Sequence, residues 1–301
     1  MRILLTGSNG LLGQKLVELL LQQPDVDLTA TSRGRNKLEE VYEALRFVPL
    51  DVTDRAQVQQ VIAEIKPTYL IHTAAMTNVD ECELNQEECW RQNVTAVGYL
   101  VGACAENQVH LIHVSTDFIF SGEEGPLAED AEPSPVNFYG QSKLAAERLV
   151  QASTGTWAIL RTVLVYGTAR DYGRTNIVLW VRDSLRAGKQ IKVVDDQLHT
   201  PTLAEDLAQG CWLAAKHNAT GIYHISSDEL FTPYQMALQV ADYFGLDKAL
   251  ITRVDANSFT QPAKRPLRTG FIISKAQRDL SFQPHSFKQG IALLNQQSTM
   301  V

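Results

Sequence analysis

The chain has 301 residues, 45% hydrophobic and 20% charged, the composition of a globular protein large enough for one big domain or two lobes. Its net charge is −7 with no basic block, which argues against nucleic acid or an anionic membrane as the main partner but leaves room for an anionic small molecule held by local positive groups. The four cysteines (Cys82, Cys89, Cys104 and Cys211) include no Cys-x-x-Cys pair, there is no signal-like start, and no apolar run nears the ~18 residues of a membrane span, so a cytoplasmic chain without disulfides or zinc is expected.

Residues 2–6 read as a short buried strand, followed by Gly7-Ser8-Asn9-Gly10-Leu11-Leu12-Gly13 and a helical run from Gln14 to Gln22. Strand, glycine turn and helix form the setting of a dinucleotide fingerprint. Gly7 permits the tight turn, Gly10 lets the backbone approach a pyrophosphate at the helix N-terminus, and Gly13 lets helix and strand pack closely; Asn9, Leu11 and Leu12 complete that wall. A second strand at 28–32 ends in Ser32-Arg33, where an NAD enzyme usually carries an acid; Asp27 precedes the strand. Arg33 suits a ribose 2′-phosphate, which favours NADPH, with NADH the alternative.

A third strand at 46–50 ends at Asp51-Val52, placed for an adenine edge, and a helix at 56–65 follows. A fourth strand at 68–73 ends in Thr73-Ala74-Ala75, small enough for a cofactor to pass, with Thr77 beyond it as a substrate contact. The helix at 86–106 carries Asn93, a mildly unfavourable helix residue that could point at a site. The fifth strand, 109–114, runs into Ser115-Thr116-Asp117, and strand C-termini are where doubly wound sheets bind ligands.

A loop over 118–136 delivers the chain into a helix bearing Tyr139 and Lys143, four residues apart and so on one face. A free tyrosine titrates near pH 10, and an ammonium beside the ring favours the phenolate. A sixth strand at 157–165 holds Arg161. The βα alternation up to this point predicts an α/β fold, a Rossmann-type doubly wound parallel sheet with helices on both faces. Beyond it, helices at 175–187, 203–216 and 233–244 with strands at 190–194 and 221–225 suggest a smaller C-terminal α/β lobe. The expected division is a dinucleotide-binding domain over 1–160 and a substrate-binding lobe over 161–301, some of whose segments return to the first.

Arg161, Arg265 and Lys264 are candidates for a substrate diphosphate, since guanidinium forks match phosphate oxygens. Asp196 and Gln197 have polar ends that could read a nucleotide or sugar, or tie the lobe together. The histidines, His72 and His113 among them, show no metal-ligand spacing and are read as structural, and no metal site is expected.

The glycine turn, Ala74-Ala75, Asn93, Ser115-Thr116-Asp117 and Tyr139-x-x-x-Lys143 together resemble the extended short-chain dehydrogenase/reductase superfamily. Asp195-Asp196-Gln197 before Pro201-Thr202, then Gly221-Ile222-Tyr223-His224-Ile225 and Arg265-Pro266, are similar to the dTDP-4-dehydrorhamnose reductase family. That resemblance implies NAD(P)H-dependent reduction of the 4-keto group of dTDP-4-dehydro-L-rhamnose, with Tyr139 the proton donor, Lys143 supporting its phenolate and holding the nicotinamide ribose, Thr116 aligning the carbonyl, Asn93 keeping a water near Lys143, and Asp117 at the substrate. The implied partner is a sugar nucleotide, and a homodimer is the default expectation from symmetry.

Three segments depart from the family pattern: Val163-Leu164, where a tryptophan is common; Leu198-His199-Thr200, where a small residue is usual; and Gly270-Phe271. They put the identity of the sugar in question and leave hydride chemistry intact. Two alternatives keep the fold: a sugar-nucleotide epimerase or dehydratase, and a non-catalytic nucleotide-binding subunit like that of methionine adenosyltransferase. Asp117 is followed by Phe118 rather than an acid, which favours reduction over dehydration.

Overall fold

The computed structural model describes residues 1–171, 173 and 175–298, so the last three residues of the expected second lobe lie outside the described residues. In order, the elements are β1 (Arg2–Thr6), α1 (Leu11–Leu20), β2 (Asp27–Ser32), β3 (Arg46–Pro49), α2 (Arg55–Ile65), β4 (Tyr69–His72), α3 (Val79–Leu84), α4 (Gln86–Trp90), α5 (Ala96–Glu106), β5 (His110–Thr116), α6 (Phe138–Gln151), β6 (Trp157–Thr162) and β7 (Val165–Tyr166). There follow α7 (Ile177–Arg186), β8 (Ile191–Val194), β9 (Thr202–Leu203), α8 (Ala204–Lys216), β10 (Gly221–His224), α9 (Pro233–Phe244), β11 (Ile251–Val254), α10 (Ser274–Leu280) and α11 (Phe287–Ser298).

Seven strands form one parallel sheet in the order β10-β6-β5-β4-β1-β2-β3. The central strands are apolar on successive residues because both faces of the sheet are covered. Ile3, Leu5, Ile71, Ile112 and Leu160 pack on one side with Leu16 of α1 and Leu207 of α8. Leu4, Leu70, Leu111 and Ile159 pack on the other with Ile62 of α2 and Leu100 of α5. From β1 the chain builds outward through β2 to β3, then crosses back to β4 on the other side of β1. A sheet that reverses direction in this way opens a crevice above the strand C-termini at the reversal.

The second body is built on a separate core, in which Val178 and Val181 of α7, Met236 and Val240 of α9, and Phe287 and Ile291 of α11 cover the paired strands β8 and β11. The chain does not stay there. Strand β10 pairs with β6 as the seventh strand of the main sheet, and α8 packs on α1, where Lys15 bonds Glu205 at 2.8 Å. A division at residue 160 falls inside β6, and the later half of the chain supplies β10 and α8 to the body of the seven-stranded sheet.

Two expected elements are interrupted. The helix anticipated over 86–106 passes through a π-helical turn at Arg91–Thr95, centred on Asn93. Such turns insert one residue and re-aim side chains, often at functional sites. The strand anticipated over 157–165 leaves the sheet after Thr162. Val163 stays fully buried, while Leu164 takes a φ of 38° and turns outward at 39% exposure. The Thr202 hydroxyl donates to the Val163 carbonyl at 2.7 Å and holds the kink.

Helix α6 is seated by two local devices. Asn137 caps it, accepting from the Gly140 amide at 2.8 Å. Gly140 itself lies against the turn after β5, where a Cβ would fall 2.1 Å from the Phe118 carbonyl oxygen. Gly140→Ala is therefore expected to destabilise the fold by about 1–3 kcal/mol, as overpacked substitutions do. Urea unfolding measures this, and an unchanged midpoint would show that α6 can lift without cost.

Candidate active site

A cleft of about 620 Å³ runs along the C-terminal ends of β1, β2, β4, β5 and β6. It is lined at one end by Gly7, Asn9, Gly10, Leu11, Leu12 and Gly13, then by Ser32, Arg33, Asp51, Val52, Ala74 and Ala75, and at the other end by Thr77, Thr116, Asp117, Tyr139 and Lys143. Every residue expected at a cofactor lies on this one surface.

At the glycine turn the backbone packs tighter than side chains allow. Gly7 has φ 78°, and a Cβ there would sit 2.7 Å from Thr73 Oγ1; a Cβ on Gly13 would meet the Gly7 carbonyl oxygen at 2.1 Å. Gly10 stands at the N-cap of helix α1 with no side chain to cap it, so the first amides of the helix face the cleft as an anion site. Asn9 ties this turn to the loop after β2, donating to the Arg35 carbonyl at 2.9 Å and accepting from the Lys37 amide at 3.0 Å. Arg33 is exposed at the rim, and Lys37, which sequence reasoning missed, lines the same end. The cradle and its positive rim fit a phosphorylated dinucleotide.

At the opposite end, β5 and α6 bring the reactive groups together. The Thr116 hydroxyl donates to Asp117 Oδ1 at 3.0 Å and lies beside the Tyr139 phenol, where it favours the phenolate. Tyr139 stands edge-on to Phe118, with ring centroids 5.6 Å apart, against Met76, Cys82 and Cys89. Lys143 is 3% exposed and donates to the Val114 carbonyl at 2.8 Å. Burial is the main influence on both partners: it holds the phenol above its ordinary value of 10, with Asp117 adding to the rise and the Thr116 hydroxyl opposing it, and it draws the lysine down to about 8 against the charge of Glu147. The lowering expected from Lys143 together with a cationic cofactor ring is set against this rise, whose main cause is burial of the phenolate. Burial raises Asp117 to about 6 against the opposing Thr269 and Thr116 hydroxyls, and its Oδ2 is buried with no close hydrogen bond among the described residues.

Several expected site residues lie elsewhere. Asn93 is 1% exposed and clasps Met76, accepting from its amide at 2.8 Å and donating to its carbonyl at 3.0 Å, while reaching Ser142 Oγ at 3.1 Å. Its side chain joins the segment after β4 to α6. Arg161 is 2% exposed and grips Glu147 through Nε at 3.0 Å and Nη2 at 2.8 Å, so its fork is spent inside the fold and is not offered to a diphosphate. Arg265 is committed to Asp80 through Nη1 at 2.5 Å and Nη2 at 2.8 Å. Asp196 accepts from the Ala256 amide at 2.9 Å, tying a loop, and neither it nor Gln197 lines the cleft. Of the three departures noted in the sequence, Leu164 is the one that lines the cleft; Val163 is core. Among the described residues no cluster of metal-ligating side chains occurs, and no helix is long and apolar enough to cross a membrane.

The family model described as RmlD substrate binding domain matches residues 1–300. The chain is 31% identical to a probable low-salt glycan biosynthesis reductase of Haloferax volcanii, over 96% of this chain and 95% of that one. It is 30% identical to a dTDP-4-dehydrorhamnose reductase of Aggregatibacter actinomycetemcomitans, over 96% and 97%. A crystal structure of a dTDP-4-dehydrorhamnose reductase from Bacillus anthracis in complex with NADP superposes with a TM-score of 0.85 at 27% identity, over 98% and 99% of the two chains.

Replacing Arg161 with methionine would leave Glu147 buried and unpaired, at an expected cost of about 3–5 kcal/mol. Adding Glu147→Leu should recover most of it in thermal unfolding. A normal unfolding midpoint with a raised KM for substrate would return Arg161 to the list of phosphate anchors.

Proposed function

The chain belongs to the RmlD substrate binding domain family and is an NAD(P)-dependent oxidoreductase, and on that premise we propose that it reduces the 4-keto group of a dTDP-linked deoxysugar with NADPH, converting dTDP-4-dehydro-L-rhamnose to dTDP-L-rhamnose. The observation that carries the reading is the convergence of Thr116, Asp117, Tyr139 and Lys143 on one end of a cleft whose other end is a glycine cradle. Bound along the cleft, the cofactor supplies hydride to a carbonyl carbon.

The protein's own groups handle the charge and the proton. As hydride arrives, negative charge develops on the carbonyl oxygen, and preorganised donors aimed at it are worth about 3 kcal/mol each. Thr116 and Tyr139, side by side at this end of the cleft, are those donors, the Thr116 hydroxyl turning from Asp117 to the substrate oxygen. The phenol is kept protonated by burial, so Tyr139 enters the reaction as an acid and gives its proton to the oxygen. Lys143, one helical turn on, then supports the phenolate left behind. The unpartnered Oδ2 of Asp117 suits a sugar hydroxyl, which would satisfy it.

Arg33 and Lys37 at the adenosine end, with Ser32 and no acid at the end of β2, support a 2′-phosphate and hence NADPH. The epimerase, dehydratase and non-catalytic alternatives differ in redox balance: only a reductase oxidises NADPH in proportion to the keto-sugar consumed. Incubation with enzymatically generated dTDP-4-dehydro-L-rhamnose is expected to give that one-to-one oxidation, and its absence would remove the proposal.

Tyr139→Phe is expected to lose nearly all turnover while still binding NADPH by fluorescence titration; near-normal turnover would exclude it as the acid. Arg33→Ala should raise KM for NADPH about 10-fold or more, the loss expected for a hydrogen bond to a charged group, with KM for NADH little changed. Equal effects on both cofactors would remove Arg33 from the 2′-phosphate.

A further inference from the structure

Lys143 has three donors, and the fold holds two of them from below. One goes to the Val114 carbonyl at 2.8 Å; the other faces Nε2 of His113 at 3.4 Å. Consecutive residues of β5 thus grip the ammonium from beneath the cleft floor, leaving its third donor for the cleft that Lys143 lines.

We propose that His113 is a positioning residue: its neutral imidazole accepts a hydrogen bond from the Lys143 ammonium, and so aims and retains the charge that Tyr139 needs after giving up its proton. The inference rests on the reading of Lys143 as the support of the phenolate.

The tautomer follows from the surroundings. His113 is 0% exposed, and an imidazolium there would stand against an ammonium with no water between to screen it. Burial first, then the charges of Lys143 and His72, push its pKa well below the ordinary histidine value. Nε2 is then a lone pair facing Lys143, and the ring proton sits on Nδ1. That Nδ1 is buried with no hydrogen-bond partner among the described residues. An orphaned buried donor costs stability, so packing alone does not account for a histidine at this position.

His72 stands behind it on β4, directly across the register, its ring stacked on His113 with centroids 5.5 Å apart. Nδ1 of His72 meets Thr6 Oγ1 at 2.7 Å, just before the glycine turn, and burial and Lys143 push its pKa down to about 3. The stack fixes the plane of His113, and with it the direction of the Nε2 lone pair. The other charged or titratable groups acting on Lys143 are Glu147 from its own helix, Cys82 from α3 and Cys89 from α4. Among these titratable side chains, His113 is the one that bonds the ammonium from the sheet, beside the Val114 carbonyl.

The test compares His113→Leu, which removes the acceptor, with His113→Gln, which puts an amide oxygen near the place of Nε2. Both are read by the pH profile of kcat and by ¹³Cε NMR titration of Lys143 in the full chain. Loss of the acceptor disfavours the ammonium, so in the leucine variant the Lys143 pKa should fall by about one unit, the alkaline limb of kcat should follow it, and both KM values should stay within about twofold. The glutamine variant should restore kcat to within about threefold. Should His113→Leu not fold, His113→Phe, a ring without a lone pair, makes the same comparison. An unmoved Lys143 titration, or equal impairment in the glutamine and leucine variants, overturns the proposal. Lys143→Met separates the two levels: full turnover there removes the catalytic reading of the lysine, while the NMR titration still decides whether His113 holds it.

Discussion

The ion pair between Glu147 and Arg161 is the interaction on which the working end of the molecule depends. Tyr139, Lys143 and Glu147 follow one another at helical spacing on α6, so whatever fixes Glu147 fixes the rotation of the other two about the helix axis. Arg161 does this from β6, the strand beside β5, with bonds to both carboxylate oxygens. The same guanidinium reaches the Glu129 carbonyl at 3.1 Å and lies over the Phe120 ring at 5.3 Å, so the loop between β5 and α6 is gathered onto the pair. Glu129 in turn accepts from the His224 amide at 3.0 Å, which brings in β10. Such a pair contributes little net stability over apolar packing, and its value lies in admitting one arrangement of the elements that meet there.

Around that frame, burial sets the protonation of the site more than neighbouring charge does. The phenol of Tyr139 is held as a donor because its anion would be poorly solvated. Lys143 is brought to about 8 by the same cause, with Glu147 opposing the fall. The two groups are therefore poised before any ligand adds its own charge, one loaded with a proton and the other near the point of losing one.

Much of the fold was legible in the sequence because the signals were local. Gly7, Gly10 and Gly13 mark a strand-to-helix turn by spacing alone, and Tyr139 and Lys143 share a helix face whatever the tertiary structure. Thr116 could be placed because a strand end in a βα unit is a fixed kind of position. The failures share another cause. Arg161 and Arg265 read as phosphate ligands by the shape of their forks, and of the two roles open to Asp196 the structure takes the loop tie; the partners Glu147, Asp80 and the Ala256 amide are supplied by distant stretches of chain. That some later segments return to the first body is expected from the sequence; which ones, β10 and α8, is a matter of topology, since a short apolar strand looks the same in either sheet. Lys37 went unnoticed because nothing near it in sequence shows that Asn9 draws its loop to the cleft. His113 was read as a core histidine, a reading that its residue type and strand position favour and its orphaned nitrogen does not.

Leu164 gives the molecule a way to reshape its cleft without changing its fold. The sheet ends two residues earlier, at Thr162, and the kink between them is tied by Thr202, so the side chain at 164 bears on the cavity and on no layer of the core. A left-handed backbone costs a leucine roughly 1–3 kcal/mol, a cost already met by the surrounding hydrogen bonds. Exchange at this position is thereby insulated from folding. Within one architecture, a lineage could remodel this stretch of the cleft wall while Tyr139, Lys143 and the glycine cradle stay where the sheet puts them.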